Sequence, residues 1–301
     1  MKQPISLVLS GGAARGLAHI GVIEELEKQG FEIKSIAGNS MGAYIAAMYA
    51  LGSLKEYKEW ALTLDKMEVF KLIDFTFSSQ GLIKGDRVFN KMKSFFPDKN
   101  IEDLRIPYVA VAADITNMKE VVFTKGSLYD AVRASVAIPT VFTPAKKDNA
   151  VLVDGGVVNP IPLNRVKRTE GDILIASYVN ANIPYLKAVE DKEKEEIKSS
   201  IYRRKIIGFK KSLSEILPKN HEDKLNYFTL LNNSTSMLTH QLSLMYIEKY
   251  KPKVLINISR HSADAFDFFK AEELIETGRL SARKSIEQYD KTMIDNQKVF
   301  L

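Results

Sequence analysis

A chain of 301 residues, 45% hydrophobic and 27% charged, can bury a sizeable core, which excludes a disordered or fibrous protein. Its formal net charge of +6 permits an anionic surface as partner and gives no case for nucleic acid. The absence of Cys excludes disulfides and thiolate metal sites, and no apolar run reaches the ~18 residues of a membrane span. Met1-Lys2-Gln3-Pro4 leads straight into a strand and leaves no room for a signal peptide, so a cytoplasmic protein is expected.

Ile5 to Leu9 reads as a buried strand of a parallel sheet. It runs into Ser10-Gly11-Gly12-Ala13-Ala14-Arg15-Gly16 and then into a helix from Leu17 to Gln29. Leu17, Ile20, Ile23 and Leu26 form the apolar face of that helix, and Gly30 caps it. A second strand, Ile33 to Ala37, ends in Gly38-Asn39-Ser40-Met41-Gly42, and a small-residue helix from Ala43 to Leu51 follows. Both glycine loops therefore fall at the carboxyl edge of the sheet, where open α/β proteins build their sites.

Lys55 to Phe96 reads as mostly helical, with irregular joints between Phe75 and Gly85. Phe70, Phe75, Phe77, Phe95 and Phe96 are better read as core than as the lining of an apolar channel. Further strands are expected at Tyr108–Ala113, Val121–Phe123, Val151–Val153, Ile173–Val179 and Val254–Ile258. Helices are expected at Leu128–Ala137, closed by Pro139, and at Lys270–Tyr289. Strands and helices alternate throughout, so one α/β domain over residues 1–301 is expected, with a charged helical excursion at 186–224. Within it Tyr202, Ile206, Phe209, Leu213, Ile216 and Leu217 recur at helical spacing among Arg203, Arg204, Lys205, Lys210 and Lys211. Such a basic amphipathic helix suits peripheral contact with an anionic membrane through 202–217; the alternative is packing on its own domain.

The strand, tight turn and helix around Ser40 are what a nucleophile elbow requires, with Gly38 and Gly42 leaving room at the bend. A serine hydroxyl also needs a base and donors for the oxyanion. Gly11 and Gly12, with the following helix N-terminus and Arg15, offer the donors. A dinucleotide fingerprint is the rival for that loop, but Ala13 interrupts G-x-G-x-x-G. Of the four histidines, His19 is read as ordering its helix. His221 and His240 lie in polar stretches, and His261 follows the last strand in the one position suited to a triad. Asp154, at the end of a buried strand and followed by Gly155-Gly156, is the better base, giving a Ser-Asp dyad.

Gly11-Gly12-Ala13-Ala14-Arg15-Gly16, Gly38-Asn39-Ser40-Met41-Gly42 and Asp154-Gly155-Gly156, in this order, resemble the patatin-like phospholipases. The flanks agree at Leu17 to Val22, Arg133-Ala134-Ser135 with Ile138-Pro139, Val157 to Pro162 and Phe266 to Gly278. The resemblance implies a three-layer α/β/α sandwich with a mostly parallel central sheet. It also implies hydrolysis of the acyl esters of phospholipids, lysophospholipids or related lipids, without metal or cofactor. Ser40 carries over as nucleophile and Asp154 as base. Gly11, Gly12, Ala13, Arg15 and Met41 carry over as the oxyanion hole. Gly16, Gly38, Gly42, Gly155 and Gly156 carry over as supporting positions. The family usually has glycine where this chain has Ala13. Two alternatives share these residues: a membrane-associated regulatory or scaffold protein with incidental esterase activity, and an acyltransferase.

Overall fold

The computed structural model describes residues 2–72, 75–78, 81–83, 85–97, 99–139, 141–185 and 227–299. Its strands are β1 (Gln3–Leu9), β2 (Phe31–Asn39), β3 (Phe75–Ser78), β4 (Gly81–Ile83) and β5 (Tyr108–Asp114). They continue with β6 (Lys119–Phe123), β7 (Ala145–Lys147), β8 (Ala150–Asp154), β9 (Ile173–Ala181) and β10 (Val254–Ser259). The helices are α1 (Ala18–Lys28), α2 (Met41–Leu51), α3 (Leu54–Leu62), α4 (Lys66–Leu72), α5 (Asp86–Lys93) and α6 (Leu128–Ser135). Two longer ones follow, α7 (Tyr227–Tyr250) and α8 (Ala271–Val299).

The main sheet runs in the order β10-β9-β1-β2-β5-β8-β7, with β6 also paired to β5. The strands from β10 to β5 are mutually parallel, and β6, β7 and β8 join antiparallel. Every residue of β5 and the last five of β1 are buried, as an apolar strand covered on both faces demands. Alternation then sorts the core. Ile5, Leu7, Leu9 and Ile36 pack with α1, α2 and α8 residues such as Ile20, Ile45 and Leu274. Val8, Ala37, Val109 and Ala176 pack on the opposite face with Ile161, Leu163 and residues of α7 such as Tyr246. The result is the expected layered α/β arrangement, a central sheet flanked by helices.

Several details depart from the sequence reading, among them the short strands β3, β4 and β7. The first helix opens as a 3-10 turn at Ala13–Leu17, and the last one runs ten residues further, to Val299. Met1–Tyr185 with Leu238–Leu301 forms one compact unit, and Leu186–Met237 a second. The basic stretch 202–217 and His221 lie outside the described residues. Among the described residues no helix is long and apolar enough to cross a membrane.

α1 and α8 touch backbone to backbone. A Cβ at Gly21 would fall 1.8 Å from the Ile275 carbonyl oxygen, and one at Gly278 would fall 1.9 Å from that of Ala18. Arg283 Nε on α8 pairs with the buried Glu25 of α1 at 3.0 Å, and Arg279 Nη2 pairs with Glu24 at 2.6 Å. In an open helix Gly→Ala gains about 1 kcal/mol of propensity. Here Gly21→Ala is expected to lower stability by about 1–3 kcal/mol, because the added methyl must wedge the helices apart. Urea unfolding measures the sign.

Candidate active site

β2 delivers Ser40 to a backbone position that few non-glycine residues occupy, with φ 52° and ψ −128°. The bend is tight because strand and helix meet without side chains between them. A Cβ at Gly38 would stand 2.4 Å from the Gly42 backbone, and one at Gly42 would stand 2.4 Å from the Leu9 carbonyl oxygen. The Ser40 N–H, turned inward by the bend, donates to Ser135 Oγ on α6 at 2.9 Å. Ser135 is fully buried, so this bond satisfies the amide where water has no access.

Register brings Asp154 alongside. Asn39, the last residue of β2, pairs with Val111 of β5, and Asp154, the last residue of β8, pairs with the next residue, Ala112. Ser40 and Asp154 are both buried, at 5% and 6% exposure. Asp154 Oδ1 accepts the Gly156 N–H at 2.7 Å. Burial pushes the Asp154 carboxyl up to about 6, against hydrogen bonds from the Ser40 hydroxyl, the Gly156 amide and the Asn39 side chain that favour the charged form. The site thus holds a buried carboxylate, in contact with a serine hydroxyl, that ionises just below neutrality.

The histidines stand apart from this pair. His19 is fully buried, with Nδ1 2.9 Å from Ser177 Oγ and Nε2 2.9 Å from the Ser10 carbonyl oxygen. Burial lowers it to about 4, so it is neutral and ties α1 to the end of β1 and the middle of β9. His240 on α7 meets the Tyr178 hydroxyl through Nδ1 at 2.7 Å. His261 is exposed in the loop after β10, an edge strand separated from β2 by β9 and β1.

The first glycine loop corrects two sequence assignments. Gly11 donates its N–H to the Pro160 carbonyl at 3.1 Å, so its amide is not available to an oxyanion. The Arg15 guanidinium is taken up by other partners: Nη2 donates to Asn180 Oδ1 and Nη1 to the Ala263 carbonyl, both at 2.8 Å. Asn180 Nδ2 in turn donates to the Gly11 carbonyl at 2.7 Å, so Arg15 braces the loop from behind. Ala14 and Arg15 donate to Ala265 and Gly12 carbonyls, while Gly12 and Ala13 amides meet no backbone carbonyl among the described residues. The loop lies against the start of α2, where a Cβ at Gly16 would come 2.4 Å from Met41 Cγ. The Met41 amide, in the first turn of α2, has no intrahelical acceptor. The amides of Gly12, Ala13 and Met41 thus lie without a backbone acceptor beside the positive end of the α2 dipole. Ala13 itself has φ 49°, so it occupies the left-handed position where the family usually has glycine.

The family model described as Patatin-like phospholipase matches residues 7–166, which include every residue of this site apart from Asn180 and the carbonyls behind Arg15. The chain belongs to the patatin-like phospholipase family. An uncharacterized NTE family protein of Mycobacterium tuberculosis is 27% identical over 335 residues, covering 95% of this chain and 92% of that protein. Patatin-like phospholipase domain-containing protein 6 of Mus musculus is 34% identical over 179 residues, 57% of this chain and 13% of that protein. Among solved structures, VipD from Legionella pneumophila aligns over 96% of this chain and 67% of its own, at TM-score 0.46 and 12% identity.

Two stability measurements test this geometry. Because burial raises Asp154 from 3.8 to about 6, the folded state holds a proton there that the unfolded chain has lost. Stability from this group therefore falls as pH rises from about 4 to 6 and stays reduced above. Asp154→Asn should melt higher than wild type at pH 8, by about 2–3 kcal/mol, and close to it at pH 4. At the loop, Ala13→Gly relieves a left-handed alanine worth about 1 kcal/mol or more, which outweighs the added unfolded-state entropy. A melting temperature for Ala13→Gly below wild type would contradict the positive φ.

Proposed function

We propose that the protein hydrolyses the carboxylic ester bonds of phospholipids, lysophospholipids or related acyl lipids, with Ser40 as nucleophile and Asp154 as its base. The observation that carries this is a serine held in a strained turn against a buried carboxylate that titrates near 6. Membership of the patatin-like phospholipase family supports the substrate class.

In the first half-reaction Ser40 Oγ attacks the acyl carbonyl carbon while its proton passes to Asp154. The carbonyl π electrons move to oxygen, which the Gly12, Ala13 and Met41 amides receive. The tetrahedral adduct collapses by breaking the bond to the alcohol oxygen, and Asp154 returns the proton to that leaving group. A water then gives its proton to Asp154 and attacks the acyl-enzyme. Collapse frees the fatty acid and restores the Ser40 hydroxyl with the proton held on Asp154. The buried setting suits Asp154 to both directions, because a carboxyl near 6 accepts and releases a proton close to neutral pH.

Ser40→Ala should abolish release of fatty acid, identified by mass, from a panel of phospholipids and lysophospholipids, and should abolish labelling by a fluorophosphonate probe. Asp154→Asn should lower kcat about 10²–10⁴-fold, whereas His261→Ala should leave it unchanged. Since the base acts ionised, kcat/KM should fall tenfold per pH unit below about 6, two units above where an ordinary aspartate would place that limb. Wild-type turnover by Ser40→Ala, or a loss in His261→Ala that exceeds the one in Asp154→Asn, would overturn the assignment.

A further inference from the structure

The exposed apolar side chains are unevenly distributed. Outside the α-helices, the large ones among the described residues are Ile115, Met118, Val157, Ile183 and Phe266. Ile183 follows β9, Phe266 follows β10, Val157 follows Asp154, and Ile115 and Met118 form the β5–β6 turn. Ile115, Met118, Ile183 and Phe266 therefore occupy loops that leave the sheet on the side of Ser40, at the carboxyl ends of the parallel strands β5, β9 and β10. Met118, at 87% exposure, is the most prominent.

The β5–β6 turn also rises beside the site. Asn39 pairs with Val111, but β5 continues three residues further to Asp114 before turning. The turn thus stands about 10 Å beyond the end of β2, at roughly 3.3 Å per residue. It is braced to hold that position. Asp114 Oδ1 accepts the Thr116 and Asn117 amides at 3.0 and 3.1 Å, and Oδ2 accepts Asn117 Nδ2 at 2.7 Å. Val151 N donates to Thr116 Oγ1 at 3.1 Å, and Met118 takes a positive φ of 51°.

Val151 also pairs with Lys146 of β7, so the β7–β8 turn rises beside the first. Lys119, Lys146 and Lys147 are exposed on these two turns. Their acids are Asp148, which is exposed, and Asp114, which is turned inward onto the amides above.

We infer that these two turns form a docking surface for an anionic lipid interface, with Ile115 and Met118 entering the acyl boundary and Lys119, Lys146 and Lys147 meeting the headgroups. The turns project past the end of β2, and their apolar side chains are edged by cations whose long stems reach from an apolar layer to charged groups. It rests on the lipid-hydrolase reading only for its purpose: it would seat the mouth of the site on the aggregate from which an acyl chain is drawn.

The experiment measures sedimentation of the full chain with vesicles of phosphatidylglycerol and phosphatidylcholine, in the Ser40→Ala background so that lipid is not consumed. One variant carries Ile115→Thr and Met118→Asn, because asparagine tolerates the left-handed position and threonine keeps the strand preference. The other carries Lys119→Gln, Lys146→Gln and Lys147→Gln. The stretch 202–217 is the same in all three proteins, so any difference belongs to the turns. The apolar pair should weaken binding tenfold or more at every salt concentration, at roughly 1.5 kcal/mol or more for a buried methionine, or about tenfold. The lysine variant should weaken it about a hundredfold at low salt, and salt should close that gap. Both variants with Ser40 restored should cleave a soluble short-chain p-nitrophenyl ester at the wild-type rate, which verifies that the site is intact. Equal binding by all three proteins, or no binding by any, would overturn the inference. So would light scattering that finds a dimer lost in the variants, which would assign the surface to a second copy. Binding needs no turnover. Turn-dependent binding by a chain without esterase activity would therefore refute the proposed function and leave the surface standing, and the converse result would do the opposite.

Discussion

The constraint on which this structure depends is the backbone bend at Ser40. A serine at φ 52° is strained and must be held there by its surroundings. The holding is done by contacts that allow no slack: Gly38 against Gly42, Gly42 against the end of β1, and the Ser40 amide against Ser135. Three elements, β1, β2 and α6, meet at one residue, and the parallel order of the sheet makes that meeting possible.

The second organising feature is electrostatic. Asp154 enters on an antiparallel strand, so its end descends to the level at which β2 terminates. A carboxylate arriving there is stripped of water, and three hydrogen bonds only partly offset the penalty. The same burial that makes the group basic makes it unfavourable to hold ionised, so reactivity and stability draw on one quantity with opposite signs.

Much of this was legible in the sequence because it is local. The strand, glycine turn and small-residue helix around Ser40 are contiguous, as are Val151 to Gly156, and both stand where they were expected. His19 also has its structural role, reading as part of a helix rather than as a base. What escaped is what only tertiary structure decides. Whether Gly11 offers its amide depends on Pro160, and where Arg15 points depends on Asn180 and Ala263. Ser135 stood in a quoted motif, yet nothing local links it to an amide 95 residues away. The conformation of Ala13 was signalled only by the family's usual glycine there and left open, since alanine favours negative φ and the packed loop imposes the opposite.

The brace behind the glycine loop has a consequence for biosynthesis. Arg15 is fixed by Asn180 and Ala263, 165 and 248 positions downstream, and Ala14 by Ala265. β1 itself needs β9 as its second neighbour, and α1 is keyed onto α8. A nascent chain that has already exposed Ser40 and Asp154 therefore still lacks the pieces that shape the glycine loop beside them. Closing such distant contacts is slow and comes late. The arrangement around Ser40 would form only once α8 has been made, so that a chain cut short before it carries Ser40 and Asp154 without the contacts that shape the glycine loop.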